Sequence, residues 1–245
     1  RSPRLAAASE IGMNTTDDVV VRLQLQAQLG EGLHWDSQAG CLWGVDIHGK
    51  RLWSWDLVSA TWNETLLDEK VGWVLPETGG QRLLLGLQSG FALVARNDPR
   101  TVLWSLRPFT NGSMRLNDAK ADAQGRVWAG SLNDADESRP DGALFRLDPT
   151  GQLTTVDEGY TGANGPAIAP DGRWVLHTDS GRRPIYALEI TQDGLANKRV
   201  WKVFAPDEGY PDGMCFDAEG AVWIAHWGAG WISRFVPDGA LGRRI

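Results

Sequence analysis

Short apolar runs alternate along the chain with polar turns that contain Gly, Asp, Asn or Pro. Typical examples are GALFRLDPTGQL from Gly142, IYALEITQDGL from Ile185 and WISRFVPDGAL from Trp231. In each of them two strand-like runs flank an Asp-Gly or Pro-x-Gly turn, where Gly permits the positive φ that a tight hairpin needs. Segments with helical periodicity are absent from the sequence. The pattern predicts an all-β protein.

A longer cassette recurs through the chain and sets its architecture. DSQAGCLW at Asp36 is echoed by DAQGRVW at Asp122, PDGRW at Asp171 and DAEGAVW at Asp217, with a degenerate copy, ETGGQRLLL, at Glu77. Successive copies lie about 40 to 50 residues apart, which is the length of a four-stranded propeller blade. The repeat therefore predicts a β-propeller, in which the inner strands surround a central channel.

Composition narrows the class of protein further. The 245 residues are 42% hydrophobic and 22% charged and include 13 tryptophans, which indicates a globular protein with ample core material. The formal net charge of −7 disfavours a nucleic acid or an anionic membrane as partner. We expect a small neutral or cation-assisted ligand, with the protein a monomer or a weak homodimer.

The chain is expected to contain one domain after a short leader. Residues 1–12 have the appearance of a leader or an added segment before Met13, and residues 13–245 are expected to form a single propeller domain. Cys41 and Cys215 both lie in strand-like runs, where buried thiols are expected rather than a disulfide. Unpaired thiols favour a reducing compartment, so we expect a cytoplasmic protein.

Polar residues stand just ahead of several predicted inner strands, at nearly the same position in the cassette. They are Glu31 in LGEGLHWD, Arg115 and Asn117 in RLNDAKAD, Asn164 in GANGPAIAPD, and Asp212 in YPDGMCFDAEG. The inner strands of a propeller converge, so these groups can meet around one ligand. Two carboxylates and amide oxygens suit Ca²⁺, Mg²⁺ or Mn²⁺. Ordinary Asn-Gly and Asp-Gly turns remain an alternative explanation for any single copy.

These motifs, in this order, resemble the gluconolactonase family that includes senescence marker protein 30 and luciferin-regenerating enzyme. The resemblance runs from about residue 29 to 235 and rests on the stretches GEGLHWD, VGWVLPETGG, RLNDAKADAQGRVWAGS, NGPAIAPDGRW and PDGMCFDAEGAVWIAHWGAG. It implies a six-bladed propeller of four-stranded blades with one divalent cation in its channel, Ca²⁺ first, with Mn²⁺, Mg²⁺, Zn²⁺ or Fe²⁺ as alternatives.

The resemblance also assigns a role to each candidate residue. It implies that Glu31, Asn164 and Asp212 bind the metal, that Arg115 and Asn117 bind substrate, and that Asp212 is the catalytic base. The implied reaction is hydrolysis of a sugar lactone to the aldonic acid, in which the metal polarises the carbonyl group and Asp212 activates water. A related esterase or phosphotriesterase, and a noncatalytic ligand-binding propeller, remain alternatives.

The sequence departs from the family pattern in a few places. Leu33 and Pro166 stand where relatives often carry Pro and an aliphatic residue, and neither replaces a candidate ligand. After RFVPDGALGRRI the family normally continues with the rest of a last blade, so the final blade is expected to be incomplete. The strand at residues 18–28 would ordinarily complete that blade.

Other conspicuous residues are given structural roles. The four histidines lack ligand spacing, and only His226 is considered as a neighbour of the channel. Trp73 and Trp227 are candidates for lining a pocket, although packing is favoured for both. The acidic stretch at residues 133–142 is expected to be a solvated insertion, with a lid over the channel as an alternative.

Overall fold

In the computed structural model, which describes residues 4–5, 23–110 and 112–245, the chain forms five four-stranded antiparallel sheets arranged as propeller blades. Each sheet is built from four consecutive strands, so every strand pairs with its neighbours in the sequence. The first two sheets consist of β3 (Gly30–Asp36), β4 (Cys41–Asp46), β5 (Arg51–Asp56), β6 (Thr61–Leu66), β7 (Val71–Pro76), β8 (Arg82–Leu87), β9 (Phe91–Ala95) and β10 (Asp98–Leu106).

The other three sheets repeat this meander. They consist of β11 (Met114–Ala121), β12 (Val127–Asn133), β13 (Gly142–Leu147), β14 (Leu153–Tyr160), β15 (Ala163–Ile168), β16 (Trp174–Asp179), β17 (Pro184–Ile190), β18 (Leu195–Val203), β19 (Tyr210–Phe216), β20 (Val222–Trp227), β21 (Trp231–Phe235) and β22 (Leu241–Arg244). Two short 3₁₀ turns, Ser180–Arg182 and Pro206–Glu208, are the helical elements among the described residues. None of the helices in this part of the chain has the length and hydropathy needed to cross a membrane.

The number of complete sheets differs from the expectation. Six sheets with an incomplete last one are not confirmed, because the described residues form five sheets and the fifth has all of its strands. Its outer strand β22 has the sequence LGRR and pairs with β21. The repeat itself has five copies of the cassette, at Asp36, Glu77, Asp122, Asp171 and Asp217, whereas the sixth blade was implied by the family resemblance alone.

The amino-terminal region is described only in part. Arg4–Leu5 (β1) pairs with Leu23–Gln24 (β2), and neither strand belongs to one of the five sheets. Met13, most of the predicted leader and the first part of the expected closing strand at residues 18–28 lie outside the described residues.

Apolar side chains pack mainly between neighbouring sheets. Trp43, Val45 and Leu52 of the first sheet share a cluster with Val74 and Leu83 of the second. Similar clusters join the second sheet to the third, the third to the fourth and the fourth to the fifth. Because both faces of most sheets are covered, the strand runs are strongly apolar, and the rigid sheets fix the positions of the inner strands.

The cassette aspartate is a scaffold residue. The Asp122 carboxylate accepts hydrogen bonds from the N–H groups of Gln124 and Arg126 at 3.0 Å and from Trp128 Nε1 at 3.0 Å. Asp217 repeats this arrangement with Trp223 Nε1 at 2.9 Å. In these two copies the Asp closes the turn and orients the Trp, whereas Asp36 closes its turn without a hydrogen bond to Trp43.

The two cysteines differ in environment. Cys41 is buried and unpaired, as expected, whereas Cys215 is unpaired but exposed. The prediction that both thiols are buried is therefore wrong for Cys215. That residue lies on β19, where an apolar neighbourhood in the sequence did not lead to burial.

Candidate functional site

Each of the five inner strands has one extra residue relative to its partner strand. The register shifts between Glu31 and His34, Val71 and Trp73, Leu116 and Ala119, Asn164 and Ala167, and Pro211 and Met214. Such a β-bulge bends the strand and redirects the side chains beside it. Glu31, Asn117, Asn164 and Asp212 all lie at or directly beside these bulges, which gives them a shared orientation.

The second sheet has no side chain at the corresponding position. Its inner strand carries Gly72, where a Cβ atom would lie 2.6 Å from the carbonyl oxygen of Leu116 and 2.7 Å from that of Asn117. Backbone packing therefore excludes a larger residue there. The polar groups of the site come from the first, third, fourth and fifth sheets.

These groups line a cavity of about 530 Å³ at one end of the channel. All of the predicted site residues lie on it: Glu31, Arg115, Asn117, Asn164 and Asp212. The structure thus brings together side chains that are separated by up to 181 positions in the sequence (212 − 31). A cavity of this size, with a few convergent polar groups, is typical of small-molecule sites.

Three carboxyl groups lie close enough to influence one another. Burial raises the pKa of Glu31, and the negative charges of Asp212 and Asp118 raise it further. The pKa of Asp212 is also raised, first by burial and then by the charge of Asp118. Asp118 is fully buried and its pKa is raised by desolvation. The site therefore concentrates negative charge that a bound cation would neutralise.

Asn164 and Asp212 are in direct contact across the fourth and fifth sheets. Asn164 Nδ2 donates a hydrogen bond to Asp212 Oδ1, and the N–H of Gly165 donates to Asn164 Oδ1 at 2.8 Å. Gly165 has φ of +52°, and a Cβ atom there would lie 2.5 Å from the carbonyl oxygen of Asp212. Glycine therefore permits the close approach of the two strands that carry these side chains.

The donor set fits a hard divalent cation. No group of three or more His, Cys, Asp and Glu residues that could hold a metal occurs among the described residues, so an amide oxygen has to contribute. Glu31, Asp212 and Asn164 provide two carboxylates and one amide, which are oxygen ligands that Ca²⁺, Mg²⁺ and Mn²⁺ accept. A cation between them would also relieve the repulsion between the buried carboxylates.

Arg115 is held by a network that the sequence did not reveal. Its Nη1 donates to Asn117 Oδ1 at 2.5 Å, and its Nε donates to Asp134 Oδ1 at 2.8 Å. Lys70 Nζ contacts the other oxygen of Asp134 at 2.6 Å. Asp134 belongs to the acidic stretch at residues 133–142, which was expected to be a solvated insertion. It orients Arg115 instead, because a buried guanidinium requires paired acceptors.

The structure adds further residues to the cavity wall. They are Gln28, Leu29, Ile47, His48, Leu132, Glu137, Thr161, Gly162, Ser180, Gly181, Tyr210 and Trp227. His48 and Thr161 do not belong to any of the sequence motifs. They lie on loops between strands, and only the fold brings these loops to the channel. Glu137 places the acidic stretch beside the cavity, although the lid remains a prediction.

Trp73, Trp227 and His226 differ in how far they are buried and in whether they reach the cavity. Trp73 is buried in the core, as expected, but Trp227 is 56% exposed and lines the cavity, so the packing role favoured for it is wrong. His226 is buried beneath the cavity wall, and its Nδ1 lies 2.8 Å from the carbonyl oxygen of Glu208. Its ring packs against Phe204 with 4.7 Å between ring centroids, which is a packing role.

Comparison with known proteins finds a matching family and related sequences. The family model described as SMP-30/Gluconolactonase/LRE-like region matches residues 29–245. The chain is similar to the 6-deoxy-6-sulfogluconolactonase of Pseudomonas putida, with 31% identity over 232 residues that cover 94% of this chain and 78% of the relative. It is also similar to the pentonolactonase XacC of Haloferax volcanii, with 30% identity over 219 residues, covering 88% and 73% of the two chains.

A solved structure supports the fold. The calcium-binding protein regucalcin from Agrobacterium tumefaciens superposes with a TM-score of 0.83 at 21% identity, covering 89% of this chain and 74% of the other. At this level of identity the likeness establishes the propeller architecture alone.

Proposed function

This chain belongs to the SMP-30/Gluconolactonase/LRE-like family, and we propose that it hydrolyses a sugar lactone to the aldonic acid with the help of a divalent cation. The observation that carries the proposal is the convergence of Glu31, Asn164 and Asp212 in one cavity that also contains Arg115. Relatives named as lactonases of gluconate-type and pentonate-type sugars support the same substrate class.

The proposed mechanism assigns distinct tasks to these side chains. Glu31, Asn164 and Asp212 would hold the cation, which would supply a positive charge that polarises the lactone carbonyl and stabilises the negative charge on its oxygen. Asp212 accepts a proton from the water that attacks the carbonyl carbon. The ring C–O bond then breaks, and the proton passes to the departing ring oxygen, which becomes a hydroxyl group of the product.

Arg115 and Asn117 bind the substrate in this scheme. Two of the guanidinium nitrogens are engaged by Asp134 and Asn117, and we expect Nη2 to donate to the substrate. A guanidinium fixed in this way donates in one direction only, which orients substrate oxygens without losing side-chain entropy. Asn117 Nδ2 is held by the carbonyl oxygen of Ala163 at 3.3 Å, which fixes the amide as well.

The charge of the site would depend on the bound cation. Glu31, Asp212 and Glu137 line the cavity, and Asp134 pairs with both Arg115 and Lys70. A divalent cation held by Glu31 and Asp212 would balance the charges of both carboxylates, so a neutral lactone would meet little net charge. A cytoplasmic location, suggested by the unpaired cysteines, completes the proposal.

Acid release from glucono-δ-lactone and xylonolactone tests the proposal. Metal-stripped protein is assayed in weak buffer with Ca²⁺, Mg²⁺, Mn²⁺, Zn²⁺ or Fe²⁺ added back, and spontaneous hydrolysis is subtracted. We expect turnover that returns only with added metal. Turnover that is unaffected by chelation would contradict metal dependence. Metal binding without turnover on either lactone would favour a noncatalytic propeller, and turnover on a phosphotriester or simple ester alone would favour the esterase alternative.

A further inference from the structure

An exposed indole stands beside the candidate base. Trp35 and Trp227 are the two tryptophans with exposed side chains among the described residues, at 49% and 56%, and of these only Trp227 lines the cavity. A large apolar side chain is normally buried when packing alone determines its position. An exposed indole on the wall of a ligand cavity therefore points to a contact with the ligand.

The register of the fifth sheet explains why Trp227 faces this cavity. Tyr210 and Asp212 are two positions apart on β19, and Tyr210 is the cross-strand partner of Trp227 on β20. Direct cross-strand partners lie on the same face of the sheet, and the bulge between Pro211 and Met214 redirects the side chain of Asp212 beside them. Asp212, Tyr210 and Trp227 consequently all line the same cavity.

Tyr210 supports the indole from one side. The ring centroids of Tyr210 and Trp227 are 5.5 Å apart with an interplanar angle of 51°, and Arg183 Cζ lies 4.3 Å from the Tyr210 ring centroid. This packing restricts the rotation of both rings. Tyr210 and Trp227, which we call the aromatic wall, thus present a preformed surface to the cavity.

We infer that Trp227 is a specificity-determining residue that stacks its indole against the C–H face of the substrate's sugar ring. The assignment rests on the proposed lactonase function and extends it to neutral cyclic substrates with an apolar ring face. A sugar ring has polarised C–H groups on one face, and the π-face of an indole carries partial negative charge, so the two surfaces are complementary. The hydroxyl groups at the ring edge remain available to Arg115 and Asn117.

Steady-state kinetics of three variants tests the assignment. Trp227→Leu keeps an apolar side chain but removes the ring, Trp227→Phe restores an aromatic face, and Trp35→Leu is the matched control at an exposed tryptophan outside the cavity. KM and kcat are measured for glucono-δ-lactone. Thermal unfolding establishes that each variant is folded.

We expect Trp227→Leu to raise KM for glucono-δ-lactone by about tenfold, with kcat changed by less than about twofold. Trp227→Phe should recover most of the loss, and Trp35→Leu should match the wild type. An unchanged KM in Trp227→Leu, an equal rise in Trp35→Leu, or no recovery with Phe would overturn the assignment while leaving the lactonase function intact. Absence of turnover by the wild type would overturn the proposed function and this assignment with it.

Discussion

Two aspartates of the fifth sheet show how the same residue type serves as scaffold or as candidate catalyst. Asp217 accepts hydrogen bonds from Glu219 N–H at 3.0 Å, Trp223 Nε1 at 2.9 Å and Arg234 Nε at 2.8 Å. The hydrogen bond from Arg234 is the first cause that holds the pKa of Asp217 at about 2. Asp212 instead lies in the cavity beside other acids, where burial raises its pKa. Hydrogen bonds from structural partners occupy the carboxylate of Asp217, whereas the carboxylate of Asp212 remains available for chemistry.

This contrast gives a prediction for a matched pair of variants. Asp212→Asn should lower kcat by about 100-fold or more, because it removes the proton acceptor while keeping the shape of the side chain. Asp217→Asn should lower the melting temperature and leave kcat unchanged, because its partners are structural. Lactone hydrolysis and thermal unfolding measure both effects. Wild-type turnover in Asp212→Asn would contradict the role of this residue as base.

The ionised carboxylate of Asp46 is expected to stabilise the protein against acid. Burial would by itself raise the pKa of Asp46, but the N–H groups of Leu29, Gln28 and Gly49 and the guanidinium of Arg51 hold it at about 2. A lowered pKa means that the stabilising contribution is complete above the ordinary value near pH 4. The contribution is then lost as pH falls toward 2.

Asp46→Asn should therefore lower the free energy of unfolding by about 2 kcal/mol at pH 7, because it replaces a charged acceptor with a neutral one. The difference from wild type should shrink between pH 4 and pH 2. Urea unfolding at several pH values measures it. A difference that stays constant with pH would contradict the ionised state assigned to Asp46.

The individual strand is the scale at which the site acquires its geometry. One extra residue in each inner strand turns the side chains at the bulge toward a common end of the channel, and glycines follow the candidate ligands at Gly32, Gly165 and Gly213. At Gly32 a Cβ atom would lie 2.9 Å from the carbonyl oxygen of Gly72. Backbone contacts and positive φ thus require glycine at Gly32 and Gly165, whereas a Cβ atom at Gly213 would meet only Asp118 Oδ2, at 3.8 Å.

Substituting two glycines separates the effect of backbone strain from the effect of close contact between sheets. Gly172 has φ of +70°, and a Cβ atom there would have no neighbour within 4 Å, whereas a Cβ atom at Gly165 would meet the Asp212 carbonyl oxygen at 2.5 Å. Gly172→Ala should lower the free energy of unfolding by about 1 kcal/mol through backbone strain alone and should leave kcat unchanged. Gly165→Ala should cost more and should reduce kcat/KM, because the strands carrying Asn164 and Asp212 have to separate. Equal effects in urea unfolding and kinetics would contradict the close-packing argument.

The whole molecule determines which sheets the site connects. Inner strands of consecutive sheets contact one another from β3 through β19, whereas within the described residues no comparable contact joins β3 to β19. Glu31 on β3 nevertheless lies close enough to Asp212 on β19 for their charges to interact. A cation held by both side chains would therefore connect the first and fifth sheets across the channel.

Calcium should accordingly raise the melting temperature, and chelation should lower it. A ligand at about 100 times its dissociation constant stabilises the folded state by about 2.7 kcal/mol. Glu31→Gln should abolish most of the shift and weaken calcium binding in calorimetry, whereas Glu158→Gln, at an exposed position on the outer strand β14, should retain both. Unchanged calcium affinity in Glu31→Gln would remove this residue from the ligand set.

Much of the fold and of the site could be predicted from local patterns. Asp122 and Asp217 close turns formed by their own neighbours, so the cassette was visible without tertiary information. Glu31, Asn164 and Asp212 recur at one phase of that repeat, and a propeller brings equivalent phases together. The sixth blade was expected from the family resemblance alone, whereas the five cassette copies in the chain match the five sheets.

The sequence by itself determined the all-β architecture, the blade repeat and the convergence of the polar strand entries, because turn chemistry and strand alternation are properties of adjacent residues. Only the tertiary structure decided the five complete sheets, the orientation of Arg115 by Asp134 and the exposure of Trp227. Lys70 and Asp134 are 64 positions apart, and the Trp227 environment depends on the packing around β20. Contacts of this kind depend on how sheets pack in three dimensions, so no periodicity along the chain records them.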